Sequence, residues 1–389
     1  MNNHLTYYYL VASCIVPFIF FYLLSRSNLA KNELLTTEKY PMLDGARGLA
    51  AVFVFIHHSR MIYNFHEDGA FGPLGIFSYN SSGVFSAYTH IGQASVLFFF
   101  MITGFLFSGK LIDSSGCINN IKFYQGRIKR IFPAYLLCLT ISTAVALIFG
   151  KSELALGANP PLTILSWLTF GYLPLQDMGG IPGPVMVSGV VWTLQIEWLF
   201  YVLLPFMGLF MNGVRPTMLL IGTAILISLV LNHNNILSDK YLIICLSFSV
   251  GFISSVLTRL KYTLKITRSI WFAFASIAFA TASFLVYPNS YSILVACGIG
   301  MIFISVSSSN QIFKILMLPA LRLAGKCSYS IYILHGVLLN ISSFIIGGSI
   351  GYFGYMVFSS LVLCSACFMS YVVIEKPFMS KKTTQIIAS

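Results

Sequence analysis

Residues 91–112 read IGQASVLFFFMITGFLFSGKLI, an apolar run whose one formal charge, Lys110, falls close to its end. About 20 such residues are what a helix needs to cross the hydrocarbon core of a bilayer. Runs of the same kind recur near 6–25, 46–65, 131–150, 190–211, 217–232, 241–258, 269–287, 290–307, 328–347 and 351–374. The fold class expected is therefore an all-α polytopic membrane protein with about eleven transmembrane helices. Composition agrees. Of 389 residues, 57% are hydrophobic and only 9% charged, where a soluble domain needs roughly 25% charged residues to cover its surface. The surface must face lipid. The stretch 162–175 is apolar but short and is bracketed by Pro160, Pro161 and Pro174, so it reads as a re-entrant or interfacial segment.

Alternate connections collect the positive charge. The segments 26–47, 110–130, 212–216, 259–268, 308–327 and the tail from 375 hold 20 of the 23 Lys and Arg, leaving Arg60, Lys151 and Lys240 for the other side. The positive-inside rule then predicts an N-terminus outside and a C-terminus in the cytoplasm. The net charge of +12 is a topology signal, and no nucleic-acid partner is expected. The first run has only His4 ahead of it and its positives, Arg26 and Lys31, after it. It reads as a retained anchor rather than a cleaved signal. Of the eight cysteines, most lie inside apolar runs, Cys364 and Cys367 among them. They read as small core residues, with no disulfide framework and no metal site implied.

Ionisable groups inside a membrane are costly, so each is a functional hypothesis. Arg47 and His58 are eleven residues apart, three helical turns, which puts them on one face about 16 Å from each other. His57 points some 80° away. Glu197 lies near the outer end of its span with Tyr201 one turn deeper; a carboxylate so placed either acts or is simply solvated. His335 shares a face with Ser328 and Tyr332, which alone reads as a polar packing stripe. Arg127 and Arg130, in Phe123-Tyr124-Gln125-Gly126-Arg127-Ile128-Lys129-Arg130-Ile131-Phe132-Pro133, form a basic approach to a helix that begins near Pro133. Such a cluster serves lipid headgroups or the phosphates of a soluble donor equally well.

Taken together these segments resemble the acyltransferase-3 family of integral membrane O-acyltransferases, which includes bacterial O-antigen acetylases. Leu43-Asp44-Gly45-Ala46-Arg47-Gly48-Leu49-Ala50-Ala51 followed by His58 is similar to LDGxRGxAA…H. Phe98 to Phe105 resembles FFxxSGF, with Thr103 in place of Ser. Arg127 to Pro133 resembles the basic R-x-x-R-x-x-P stretch, Trp192 to Tyr201 resembles WSLxxE…FY, Ser328 to His335 resembles SYSxYxxH, and Glu375-Lys376-Pro377 resembles the closing EKP. Six weak motifs in order, from about 40 to 378, make a specific match. Trp198 stands where a second acidic or polar residue is common, and the first helix is extra to the family's ten.

The resemblance implies three parts: an extra transmembrane helix and cytoplasmic linker over 1–39, a membrane acyltransferase domain over 40–378, and a cytoplasmic tail over 379–389. It implies transfer of an acyl group, usually acetyl, from cytoplasmic acyl-CoA to a sugar hydroxyl of an envelope glycan such as lipopolysaccharide O-antigen, in the bacterial inner membrane. Acyl-CoA is a co-substrate and no tightly bound cofactor is expected. Arg47, Arg127 and Arg130 are expected to hold the donor's phosphates. His58 is expected to act as general base or to carry the acyl group briefly, and Glu197 to orient the acceptor or the imidazole. Thr103, Trp192, Tyr201 and His335 are expected along the substrate path. A transporter for a lipid-linked glycan would share the spans and buried charges, but such folds often carry inverted repeats, and none is visible.

Overall fold

The computed structural model describes residues 3–35, 39–69, 71, 84–150, 156–157 and 159–379. Among these, each of the eleven apolar runs is a helix of 15 residues or more. They are α1 Asn3–Ser25, α2 Pro41–Asp68, α3 Val84–Asp113, α4 Asn120–Phe149, α5 Val191–Gly208 and α6 Val214–His233. The remainder are α7 Asp239–Leu257, α8 Ile270–Val286, α9 Ile293–Ser307, α10 Ser328–Ile346 and α11 Gly351–Ser370. Large apolar side chains point outward, Leu219 at 73%, Leu226 at 62% and Leu285 at 84% exposure, as lipid-facing surface requires. Lys151, Lys381, Lys382, most of the 66–90 connection and the tail from 380 lie outside the described residues.

Seven of the described helices are long and apolar enough to cross a membrane, or ten helical units if three bent pairs each count as one. The bends are 92° between Val11–Ser25 and Asn28–Leu34, 60° between Lys261–Thr267 and α8, and 79° between α9 and Gln311–Met317. The run that falls outside this count is α2. It carries Arg47, His57, His58 and Arg60, whose polar side chains lower its hydropathy. The chain is thus an all-helical, multi-pass membrane protein.

Three helix starts lie well ahead of their apolar runs: α3 begins at Val84 rather than 91, and α2 and α4 also begin early. α2 starts at Pro41, so Leu43-Asp44-Gly45 is already helical; proline suits a first turn because the missing N–H is unsatisfied there anyway. α2 ends on Gly69 in the left-handed region, φ 73°, with its N–H donating to Phe65 O. α4 starts at Asn120 rather than near Pro133, because Asn119 caps it by accepting from the Lys122 N–H at 2.9 Å. The basic approach is therefore the first three turns of α4 itself, and Pro133 lies inside the helix. The segment expected to be re-entrant contains a nine-residue helix, Pro160–Leu168. That is about 14 Å long, too short to span. It is held by the buried Trp167, whose Nε1–H donates to Gln176 O at 3.1 Å and whose carbonyl accepts from the Tyr135 hydroxyl at 2.6 Å.

Glycines set the closest helix contacts. A Cβ at Gly45 would lie 1.7 Å from Leu316 O, and one at Gly325 2.0 Å from Asp44 O. The start of α2 therefore packs backbone to backbone on the 316–326 segment. Gly104 and Gly251 do the same between α3 and α7, at 2.5 Å from Phe248 O and 2.2 Å from Met101 O. Small residues at crossings are how membrane helices gain dispersion contact without a hydrophobic driving force. Several contacts tie the N-terminal helix and the segment after its bend to the rest, among them the Phe18–Phe53 edge-to-face pair and the Tyr371 hydroxyl on Glu33. Cys364 Sγ lies 3.7 Å from Pro17 O, and Glu33, just beyond the bend, pairs with Lys376 at 2.5 Å.

Candidate active site

Along α2, Arg47 and His58 lie on one face, and each meets a separate group of side chains. Arg47 opens onto a cavity of about 350 Å³. α3 contributes Thr103 and Lys110 to its wall, α4 Arg127 and Arg130, α5 Thr193, Glu197 and Tyr201, and α10 Tyr329 and Tyr332. Four cations and one carboxylate line the cavity, so its wall carries a net positive charge in a low-dielectric surround, where charge interactions are strong. Arg127 is held flat over aromatic rings, 5.1 Å from Phe107 and 5.7 Å from Tyr201. Its buried Nε has no hydrogen-bond partner among the described residues. Arg47 has Asp44 at 3.7 Å. Behind the arginines, Glu375 is buried, accepts from Ser330 Oγ, and feels the charges of Arg130 and Arg47. It lies on a π-helical turn, Tyr371–Glu375, at the end of α11, an irregularity often found at functional sites.

Tyr332, on the cavity wall, has its hydroxyl 2.8 Å from Thr193 Oγ1. Thr193 also donates to Val190 O at 2.8 Å, so Tyr332 is the donor to Thr193. One ring further, 6.2 Å from Tyr332 by centroid, is His335. It is fully buried, and its Nε2 lies 3.1 Å from His58 Nδ1. His335 Nδ1 faces Ile331 O at 3.1 Å, and His58 Nδ1 also faces Val54 O at 3.0 Å. A carbonyl can only accept, so each Nδ1 must carry the proton. His335 Nε2 is then left as an acceptor for the His58 Nδ1–H, and the lone pair on His58 Nε2 remains available for chemistry. Two neutral imidazoles so arranged form a base held in one tautomer by a neighbour.

The structure brings together Arg47, Arg127, Arg130, Thr103, Glu197 and Tyr201 in the cavity, and His58 with His335 beyond it. Two expected placements change. Glu197 sits among the cations, accepting a hydrogen bond from the Tyr201 hydroxyl. His58 meets Val54 O and His335 instead. Trp192 does not line the cavity; its ring is capped by Lys240 Nζ at 3.6 Å. His57 turns to α3, where its Nδ1 lies 2.8 Å from Tyr88 O and its ring covers Gly92. Lys110, Thr193, Tyr329, Tyr332 and Glu375 are additions. Tyr329, Tyr332 and Glu375 sit inside quoted motifs, so their signal was present but had no partner to give it meaning. Among the described residues, no group of three or more His, Cys, Asp or Glu could hold a metal ion.

A family model described as an acyltransferase domain matches residues 40–374. The chain belongs to the acyltransferase-3 family. It is similar to Nodulation protein 10 of Rhizobium leguminosarum bv. viciae, 26% identical over 325 residues that cover 75% of this chain and 83% of that protein. It is also similar to the putative peptidoglycan O-acetyltransferase YrhL of Bacillus subtilis (strain 168), 25% identical over 368 residues covering 83% of this chain. O-acetyltransferase OatA of Staphylococcus aureus is 24% identical over 351 residues covering 80%. The match spans 56% of the length of each of these two O-acetyltransferases. No solved structure matches the chain. The matched region runs from the residue before α2 through almost the whole π-turn, so both groups of site residues belong to the acyltransferase domain. The protein is an acyltransferase.

Proposed function

We propose that this acyltransferase moves an acetyl group from cytoplasmic acyl-CoA to a sugar hydroxyl of an envelope glycan, in a bacterial cytoplasmic membrane. The observation that carries the reading is the two-part site on one face of α2: a cationic cavity at Arg47 and a tautomer-fixed imidazole at His58. The donor is a polyanion carrying its thioester on a thin arm. Arg47, Lys110, Arg127 and Arg130 suit its phosphates through charge-assisted hydrogen bonds, and the unpartnered Nε of Arg127 is a donor awaiting an acceptor. The arm then runs past Thr103 and Tyr332 toward His58.

At His58, the Nε2 lone pair takes the proton of the incoming hydroxyl as its oxygen bonds to the acetyl carbon. The carbon–sulfur bond breaks, and the proton passes from His58 to the departing thiolate, leaving free CoA and an acetyl ester. His335 accepts from His58 Nδ1–H throughout, and that bond strengthens while His58 is an imidazolium. Glu197, among the cations, tunes the donor site rather than the imidazole. A glycan acceptor has support from the relatives' names, which include a putative peptidoglycan enzyme; lipopolysaccharide O-antigen is the acceptor we favour. In this reading α2 crosses the bilayer as well, giving eleven spans with the N-terminus outside and the cationic cavity facing the cytoplasm. Mass spectrometry of envelope glycans from cells with and without the chain tests the proposal. An acetyl increment per modified residue is expected, and identical glycan masses would refute it.

A further inference from the structure

Beside the face of α2 that carries Arg47 and His58 runs a second cavity, about 500 Å³ in volume, between α2, α3, α8 and α9. Ala46, Leu49, Ala50 and Phe53 line it on α2, at the spacing of one helical stripe. On α3 its lining extends from Ala87 to Phe98, eleven steps or about 16 Å of helix. Only two of its lining residues carry polar side-chain atoms, and both are satisfied within the protein. His90 has Nδ1 at 2.9 Å from Ser290 Oγ and Nε2 at 2.8 Å from Tyr287 O, and Ser95 donates to Ile91 O at 2.7 Å. A guest is offered no hydrogen bond, so it must be hydrocarbon. A dry apolar cavity of about 150 Å³ holds a benzene ring, so this one has room for roughly three times as many carbons, the size of one fatty acyl chain.

One end of the slot is charged at its rim. Phe313 and Leu316 line that end and bracket Lys314, which is exposed. Arg268, also exposed, is anchored there by its Nε, which donates to Ser308 O at 2.7 Å. From Arg259 to Lys326 the sequence holds seven Lys and Arg and no Asp or Glu. A hydrocarbon slot of acyl length with the exposed cations Lys314 and Arg268 beside one end complements one class of molecule.

We infer that the slot binds one chain of an anionic phospholipid, with the headgroup held by Lys314 and Arg268. This lipid wedges between α3 and the helix that carries both halves of the candidate active site, and so braces that helix from the side away from the chemistry.

Native mass spectrometry of the purified, delipidated full chain, titrated with phosphatidylglycerol or phosphatidylcholine, tests this. The first phosphatidylglycerol adduct is expected at a concentration at least tenfold below that for phosphatidylcholine. Ala94→Phe, which puts a ring across the slot partway between Ala87 and Phe98, should weaken the tight adduct at least fivefold in protein that remains monodisperse. Lys314→Glu, a surface change with no folding cost, should weaken it at least fivefold. Equal binding of the two lipids, or an unchanged adduct in Lys314→Glu or in folded Ala94→Phe, would overturn the inference. So would a polyprenyl-phosphate mass in place of a phospholipid on protein taken straight from cells.

Discussion

Replacing His335 tests the paired-histidine site most directly. His335→Phe keeps the ring in a fully buried position but removes the Nε2 that lies 3.1 Å from His58 Nδ1. In the ground state little is lost, because His58 Nδ1–H retains Val54 O at 3.0 Å as a second acceptor. The difference appears when His58 holds the substrate proton. A hydrogen bond from a neutral donor contributes about 1 kcal/mol and one from a charged donor about 1.5–3 kcal/mol. The transition state therefore loses about 0.5–2 kcal/mol more than the ground state, which is about a 2- to 30-fold fall in kcat. The KM for acetyl-CoA should stay near wild type, since His335 does not line the cationic cavity. His335→Gln offers Oε1 as a replacement acceptor and should recover most of the rate. The assay is the initial rate of labelled acetyl incorporation into envelope glycan by membranes containing equal amounts of folded protein. A wild-type rate in His335→Phe, or a His335→Gln as slow as the phenylalanine variant, would refute the proton-holding role.

Four further outcomes are expected. His58→Ala should lower acetyl transfer by about 10²- to 10⁴-fold, the usual contribution of a general base, while His57→Ala stays active because that ring is turned to Tyr88 O; comparable rates in the two would remove His58 from the mechanism. Arg127→Gln should raise the KM for acetyl-CoA by about 10- to 150-fold through loss of charge-assisted bonds of about 1.5–3 kcal/mol, with kcat little changed; an unaltered donor KM would move the phosphates elsewhere. Glu197→Gln should keep kcat within about threefold and leave donor affinity equal or tighter, and a hundredfold loss of kcat would restore that carboxylate to the chemistry. Gly45→Ala should cost about 1–3 kcal/mol of stability by overpacking, seen as a lower thermal midpoint, whereas Gly126→Ala, with no atom near its added Cβ, should be neutral or gain about 0.5–1 kcal/mol.

The helices were legible because lipid imposes one rule on every span: some 20 apolar residues with all backbone groups bonded internally. Helix ends were less so. The starts of α2 and α4 are polar and read as loop, yet Pro41 and the Asn119 cap carry them out as helix beyond the apolar stretch. Within one helix, periodicity sufficed to put Arg47 and His58 on a common face and to turn His57 away. Between helices it had nothing to say. His58 and His335 are 277 residues apart, and only packing reveals that a residue read as part of a polar stripe is the partner of the expected base. Glu197 shows the same limit: position along a span gives a depth but not which side chains of other helices reach it, and only packing places that carboxylate among Arg47, Lys110, Arg127 and Arg130.

The pairing of Glu33 with Lys376 bears on how the molecule is made. These two residues are separated by 343 positions, almost the whole chain. Synthesis proceeds at about 5–20 residues per second, so Glu33 emerges roughly 20–70 s before its partner exists. Until then Glu33 lacks this ion pair, and α1 waits beside a bundle whose last helix is not yet made. The site is completed in the same late step, because Glu375 and Lys376 emerge together. The newborn protein thus acquires this bond and the Glu375 carboxylate only at the end of the acyltransferase domain, whose final residues tie the segment after α1 to the rest of the bundle.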